Sequence, residues 1–347
     1  MKVAALEAPY RIRLEERPLP ALAPGWALVQ VQAAGICGSD VHFYTGELTA
    51  VPGSVRGHEI AGVVVDPGDT HLAQDCPVVI HPLVGCGLCA ACRRGEQQLC
   101  VDLQGIGGQV PGGFAEFVAV PAGNLVPFDA GLLPFRHAAL ADCVAVAVHA
   151  ANAVRLGAQE SAVILGDGTI GLLLLQVALA RGARPVILVG KHERNLEIAR
   201  QLGASLVIEG SSEDPLPAVG AAAGEVDVVF EAVGGVAPPL GAGLKMLRKG
   251  GRLAILGLTG STELGIPWLD VVFGERTLVG VMGYGLWDGK DEMREAIELM
   301  QSGQIILEPL ITDYIGLDQL DQGFEAILNR ATSQSIKVVV LPARGTS

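Results

Sequence analysis

Positive charge is scarce in this chain of 347 residues: 24 Lys and Arg stand against 37 Asp and Glu, a formal net charge of −13. Such a surface repels polyanions, which argues against nucleic acid and anionic membranes as partners. A small anionic ligand is not excluded, because backbone dipoles and a few lysines suffice to hold a phosphate. Cysteine is scarce as well. Seven in the whole chain cannot staple a small disulfide scaffold. Met1-Lys2-Val3 leads straight into strand-like sequence, so no secretory leader is expected and the protein is read as cytoplasmic. An unbroken membrane-length apolar run is also missing, although mean hydropathy is +0.43. The most apolar stretch, 161–180, is about long enough to span a bilayer. It is cut by Gly166-Asp167-Gly168, which fits a buried strand, a glycine turn and a buried helix. No tandem repeat or low-complexity tract occurs.

The few cysteines are clustered. Cys86, Cys89, Cys92 and Cys100 follow the spacing C-x2-C-x2-C-x7-C, within a lobe spanning 84–102. Thiolates at these intervals can wrap one loop around a single soft cation, and four sulfurs make a closed tetrahedral zinc site with no position open to substrate. A bacterial ferredoxin-type iron–sulfur loop has three residues before its last cysteine and a proline after it. Here the gap is seven and Val101 follows. The expected role is structural zinc, and any chemistry lies elsewhere.

The length suits two domains, or three. The first 120 or so residues carry short β-like runs at 26–32, 60–65 and 76–80 separated by Gly and Pro, which predicts an all-β partial barrel. From about Pro134 a helical apolar period begins, with a helix predicted over 137–153. Strand-like runs then follow at 162–165, 186–189, 206–208, 226–230, 252–256 and 278–281, with helix-like runs at 170–181, 194–202 and 239–247. This alternation predicts a doubly wound parallel sheet. A helix at 293–302, a β/turn region at 308–314, a helix at 317–328 and a strand at 336–341 complete the chain.

Gly166-Asp167-Gly168-Thr169-Ile170-Gly171 is a G-x-G-x-x-G that follows a predicted strand and opens a predicted helix, the context that gives the motif its meaning. Gly166 permits the tight turn, Gly168 lets the backbone approach a pyrophosphate, and Gly171 lets helix and strand pack closely. NAD sites usually end the second strand with an acid that bonds the ribose 2′-hydroxyl. Here Gly190 stands in that place, and Lys191 and Arg194, with His192 between them, could pair with a 2′-phosphate. NADP is therefore expected in preference to NAD. The alternative is that these bases are solvated and Glu193 supplies the acid. Val233 completes the predicted cofactor-binding set.

Upstream, Gly35-Ile36-Cys37-Gly38-Ser39-Asp40-Val41-His42 and Gly57-His58-Glu59 bring a thiol, a hydroxyl, carboxylates and imidazoles together. These two motifs, the cysteine loop at 86–100, GGFAEF at 112–117 and GDGTIG at 166–171 stand in an order that resembles the zinc-dependent medium-chain alcohol dehydrogenases, in particular the branch of sorbitol and threonine dehydrogenases. The resemblance spans nearly the whole chain. It implies a GroES-like β catalytic domain over 1–147, a Rossmann NAD(P)-binding domain over 148–283, and a return to the catalytic domain over 284–347. It implies Cys37 and His58 as catalytic zinc ligands, with Glu59 binding directly or through water. The third ligand falls on Asp142, where the family usually has Cys or Glu, and Cys143 is next to it.

By the same resemblance Asp40 pairs with His58, which fixes its tautomer. Ser39 and His42 form a proton relay from the alcohol to solvent, a task suited to a histidine. The implied activity is reversible hydride transfer between a small-molecule alcohol, secondary or polyol, and the nicotinamide, in a homodimer or homotetramer. Two other readings are a biosynthetic reductase of a larger carbonyl compound and a nucleotide-binding relative without catalysis.

Overall fold

The computed structural model describes residues 1–211, 214–235, 239–258 and 265–342. The chain divides into two compact units: Met1–Asp142 with Tyr284–Ser302 and Leu307–Ser347, and Cys143–Gly283 with Gly303–Ile306.

The first unit is built on a mainly antiparallel sheet in the order Leu125–Pro127, Pro77–Ile80, Glu59–Asp66, Trp26–Gly35, Lys337–Val340 and Ile311–Ile315, with Phe117–Pro121 also paired to Trp26–Gly35. The last two strands of that order run parallel to each other. A second sheet joins Arg11–Glu16, Lys2–Ala8 and Ser54–Val55. The central strand sets the site. Gly35 lies opposite Glu59 on one side and opposite Val339 on the other. The apolar core gathers Ile36, Ile60, Phe114 and Phe324, all essentially inaccessible.

One helix of this unit, Gly38–Thr45, has almost no amphipathic period, and sequence pattern does not predict it. Other forces hold it. The Asp40 carboxylate accepts the backbone N–H of Cys37 at 3.1 Å, closing the first turn. At the other end the ring of Tyr44 stacks on Phe324 with centroids 4.4 Å apart. Burying one such ring contributes about 2–3 kcal/mol. The predicted helix over 137–153 is interrupted, forming Phe135–Ala138 and then Ala141–Ala153. The interruption places Asp142 in the first turn of the second helix, where the free N–H groups favour a carboxylate.

The second unit is a six-stranded parallel sheet in the order Leu206–Glu209, Val186–Gly190, Ala162–Leu165, Val226–Glu231, Leu247–Ile255 and Thr277–Gly280. Numbered within the unit this is 3-2-1-4-5-6, the Rossmann order, whose crevice opens beyond the carboxyl ends of strands one and four. The strand Ala162–Leu165 is buried at every position, as expected of a strand covered on both faces. The helices Thr169–Ala180 and Glu193–Gln201 follow the first two strands. No described helix is long and apolar enough to cross a membrane.

Candidate active site and metal centres

Four sulfurs, those of Cys86, Cys89, Cys92 and Cys100, lie within 4.8 Å of one another. Backbone amides point at them: Cys86 N–H to Cys100 Sγ at 3.2 Å, Cys89 N–H to Cys86 Sγ at 3.4 Å, and Asp102 N–H to Cys100 Sγ at 3.3 Å. Donors of this kind favour thiolate over thiol. The amides of Cys92 and Val101 bring the Cys89 thiol down to about 6. The donor set fits a closed zinc site.

Cys37, His58 and Glu59 place one donor atom each within 4.8 Å of the others. Glu59 also shares such a group with Asp142, and Cys143 is the next residue of the same helix. Asp40 is fully buried, with its Oδ1 at 3.7 Å from His58 Nδ1 and 3.9 Å from Arg56 Nε. The Arg56 guanidinium covers the Phe43 ring at 3.7 Å. Burial alone would push the Asp40 carboxyl up, but His58 and Arg56 outweigh it and hold it below its ordinary range. Burial likewise disfavours charge on His58, and Asp40 and Cys37 overcome it, so that the imidazole titrates well above its usual value. Burial raises the Asp142 carboxyl; His58 opposes this and Glu59 adds to it. Carboxylates, a thiol and an imidazole thus converge, with Arg56 beside Asp40 and Lys337 on Glu59 offsetting part of the negative charge. The donors, one sulfur, one nitrogen and carboxylate oxygens, fit zinc.

The structure adds residues that sequence reading did not find. Lys337, 3% exposed, donates from Nζ to Glu59 Oε1 at 2.5 Å and to the Ile36 carbonyl at 3.0 Å. Its signal was present as the one charge in the apolar run IKVVVL. Gly35 makes room for this pair, since a Cβ there would fall 1.8 Å from Glu59 Oε2. The hydroxyl of Tyr284 donates to Asp142 Oδ1 at 2.7 Å, a contact no sequence pattern announces. Of the predicted relay residues, Ser39 and His42 lie one turn apart on Gly38–Thr45, and His42 Nδ1 is 2.6 Å from Glu47 Oε2.

In the second unit the glycine turn opens Thr169–Ala180 at its N-terminus, with Gly168 as the cap. A Cβ at Gly171 would lie 1.9 Å from the Gly166 carbonyl oxygen, so strand and helix meet there only through glycine. Val233 is about half exposed beyond Val226–Glu231, and its N–H donates to Glu231 Oε1 at 2.8 Å. Asp167 is the unforeseen member. Its Oδ2 accepts the amides of Lys191 at 3.0 Å and His192 at 2.7 Å, and the His192 imidazole lies 3.0 Å away. The side chains of Lys191 and Arg194 are exposed at this edge. The carboxylate of Glu193 pairs with Arg200 at 2.9 Å.

Residues 23–130 match the family described as alcohol dehydrogenase GroES-like domain, and residues 169–302 match zinc-binding dehydrogenase. The chain is 32% identical to an L-threonine 3-dehydrogenase of Bacillus velezensis, over 97% of each chain. It is 31% identical to a sorbitol dehydrogenase of Bacillus subtilis, over 99% of this chain and 98% of that one. The chain belongs to the zinc-dependent medium-chain alcohol dehydrogenases. A zinc-binding dehydrogenase from Sinorhizobium meliloti 1021, solved with NADP bound, superposes with a TM-score of 0.91 at 32% identity, over 98% of this chain and 99% of that one. As a member of the sorbitol and threonine dehydrogenase branch, this alcohol dehydrogenase is a zinc-dependent oxidoreductase that exchanges a hydride between an alcohol and NAD(P).

Proposed function

We propose that this dehydrogenase oxidises a polar secondary alcohol or polyol with NADP, at a zinc site held by Cys37, His58 and Asp142 with Glu59 beside them. The observation that carries the reading is the convergence of Cys37, His58 and Glu59 donors within 4.8 Å, with Asp142 sharing the Glu59 group. Zinc, when bound, supplies a Lewis acid for the alcohol oxygen, and the nicotinamide takes the hydride. The chain's own residues do the rest. Asp40 faces the Nδ1 edge of His58 at 3.7 Å and favours charge on that side of the ring, so that the other ring nitrogen would be the one to meet a bound metal. Lys337 offsets the charge of Glu59 and limits how many negative charges face the site at once. Ser39 receives the alcohol proton, and His42, partly exposed and paired with Glu47, delivers it to solvent.

The preference for NADP is supported by the second strand. Gly190 carries no acid, Glu193 is turned to Arg200, and Lys191 and Arg194 present cationic side chains. An L-threonine 3-dehydrogenase and a sorbitol dehydrogenase among the relatives support a hydroxyl flanked by other polar groups as the substrate class. A cytoplasmic homo-oligomer is the proposed working form. The test is an initial-rate matrix of both cofactors against polyols, hydroxy amino acids and simple secondary alcohols. Turnover confined to simple alcohols, or faster with NAD throughout, contradicts the proposal.

A further inference from the structure

Zinc binding by the cysteine lobe accounts for its four sulfurs and leaves unexplained why the residues between them are tied to the rest of the first unit. The lobe's Gln97 sits in the short turn Gln97–Leu99, between Cys92 and Cys100. Its side-chain Nε2 lies 2.9 Å from His81 Nε2 and 3.3 Å from His81 Nδ1. His81 is 6% exposed, and Nδ1 accepts the Leu83 N–H at 3.2 Å. With Nδ1 occupied as an acceptor, the neutral ring carries its proton on Nε2, and turning the Gln97 amide end for end brings its oxygen onto that N–H. The imidazole packs edge-on against the Tyr284 ring with centroids 4.6 Å apart. Tyr284 is 1% exposed, and its hydroxyl ends on Asp142 Oδ1 at 2.7 Å.

The backbone beside Tyr284 is pinned to the same lobe. Leu286 N–H donates to the Gly95 carbonyl at 2.9 Å, and a Cβ on Gly285 would fall 2.5 Å from Gln98 Oε1 and 2.6 Å from Gly95 O. The segment carrying Tyr284 therefore lies directly on the cysteine lobe.

We infer that Tyr284 is a positioning residue for Asp142 and that the cysteine lobe, through Gln97 and His81, holds Tyr284 in place. This rests on the proposed role of Asp142 as a zinc ligand. An aspartate reaches less far than a glutamate, so its rotamer decides whether an oxygen meets the metal. Tyr284 occupies Oδ1 with a directed O–H bond and so restricts the carboxylate, with Oδ2 the oxygen that would be offered to a bound zinc. Hydrogen bonds of this type, one step out from a metal ligand, change metal affinity by about 10- to 100-fold.

The test compares Tyr284→Phe, Gln97→Ala and Asp142→Ala with the wild-type holoenzyme, following zinc release under increasing chelator and the visible spectrum of cobalt placed in the same site. Tyr284→Phe should release the catalytic-site zinc at about 10- to 100-fold lower chelator and alter the cobalt bands, with the cysteine-bound zinc unmoved. Gln97→Ala should shift the same release in the same direction by less. If Asp142→Ala loses the zinc while Tyr284→Phe holds it as the wild type does, the positioning role is overturned and the ligand assignment stands. If Asp142→Ala itself retains the zinc unchanged, the ligand assignment fails. A Gln97→Ala protein with lowered melting temperature but wild-type zinc release breaks the link to the lobe.

Discussion

Asp167 fills the space that a side chain on Gly190 would need: a Cβ added there would stand 2.3 Å from the Cβ of Asp167 and 2.8 Å from its Oδ2. The glycine turn thus supplies a carboxylate to the end of the second strand from an unexpected direction and spends it on the amides of Lys191 and His192. Gly190→Asp, the obvious route to an NAD site, should therefore weaken both cofactors and cost about 1–3 kcal/mol of stability through overpacking and paired carboxylates. Calorimetric titration with NADP and NAD checks it; improved NAD binding by the single variant contradicts it.

Lys191→Ala should raise the dissociation constant for NADP by about 10-fold, the worth of one charge-assisted hydrogen bond, with a much smaller change for NAD. Fluorescence titration with both cofactors reads the difference. Equal losses would mean that Lys191 does not meet a 2′-phosphate.

Lys337→Met should destabilise the protein by about 3–5 kcal/mol, because it leaves the Glu59 carboxylate buried without its cation. Adding Glu59→Gln should return much of that loss in denaturant unfolding. A Lys337→Met protein as stable as wild type would show that the pair is not formed in solution.

His81 gives a pH dependence with a definite sign. Burial holds its pKa at about 4, below the 6.5 of an exposed histidine. Between those values the unfolded chain binds the extra proton, so stability is fully present above about pH 6.5 and is lost as pH falls toward 4, by up to about 3 kcal/mol. His81→Gln should flatten this part of the stability profile. An unchanged slope would assign the acid sensitivity to other groups.

Much of this was legible in the chain because it rests on short local motifs. The cysteine spacing, the glycine turn after an apolar strand, and the Cys37 and His58 motifs each encode their geometry within a few residues. The Rossmann strands were readable because each is an uninterrupted apolar run such as Ala162–Leu165. The helix Gly38–Thr45 was not, since its position depends on Tyr44 stacking on Phe324 from the far end of the chain. Lys337, Tyr284 and Asp167 act across separations that no local pattern reports. Lys337 meets Glu59 only because two strands flank Gly35. Tyr284 reaches a residue 142 positions away. Asp167 stands between two glycines of the turn, and its role shows only when the second strand is laid beside the first.

The proposed second zinc, distinct from the one in the cysteine lobe, is held by Cys37, His58 and Asp142. Metal content of the wild type and of Cys37→Ser, measured together with alcohol-dependent reduction of NADP, tests it most directly. The wild type should hold two zincs per chain, one in the four-cysteine group and one where donor groups share Glu59, and Cys37→Ser should lose one zinc and turnover while the fold is kept. A Cys37→Ser protein that retains both zincs and wild-type turnover would contradict it.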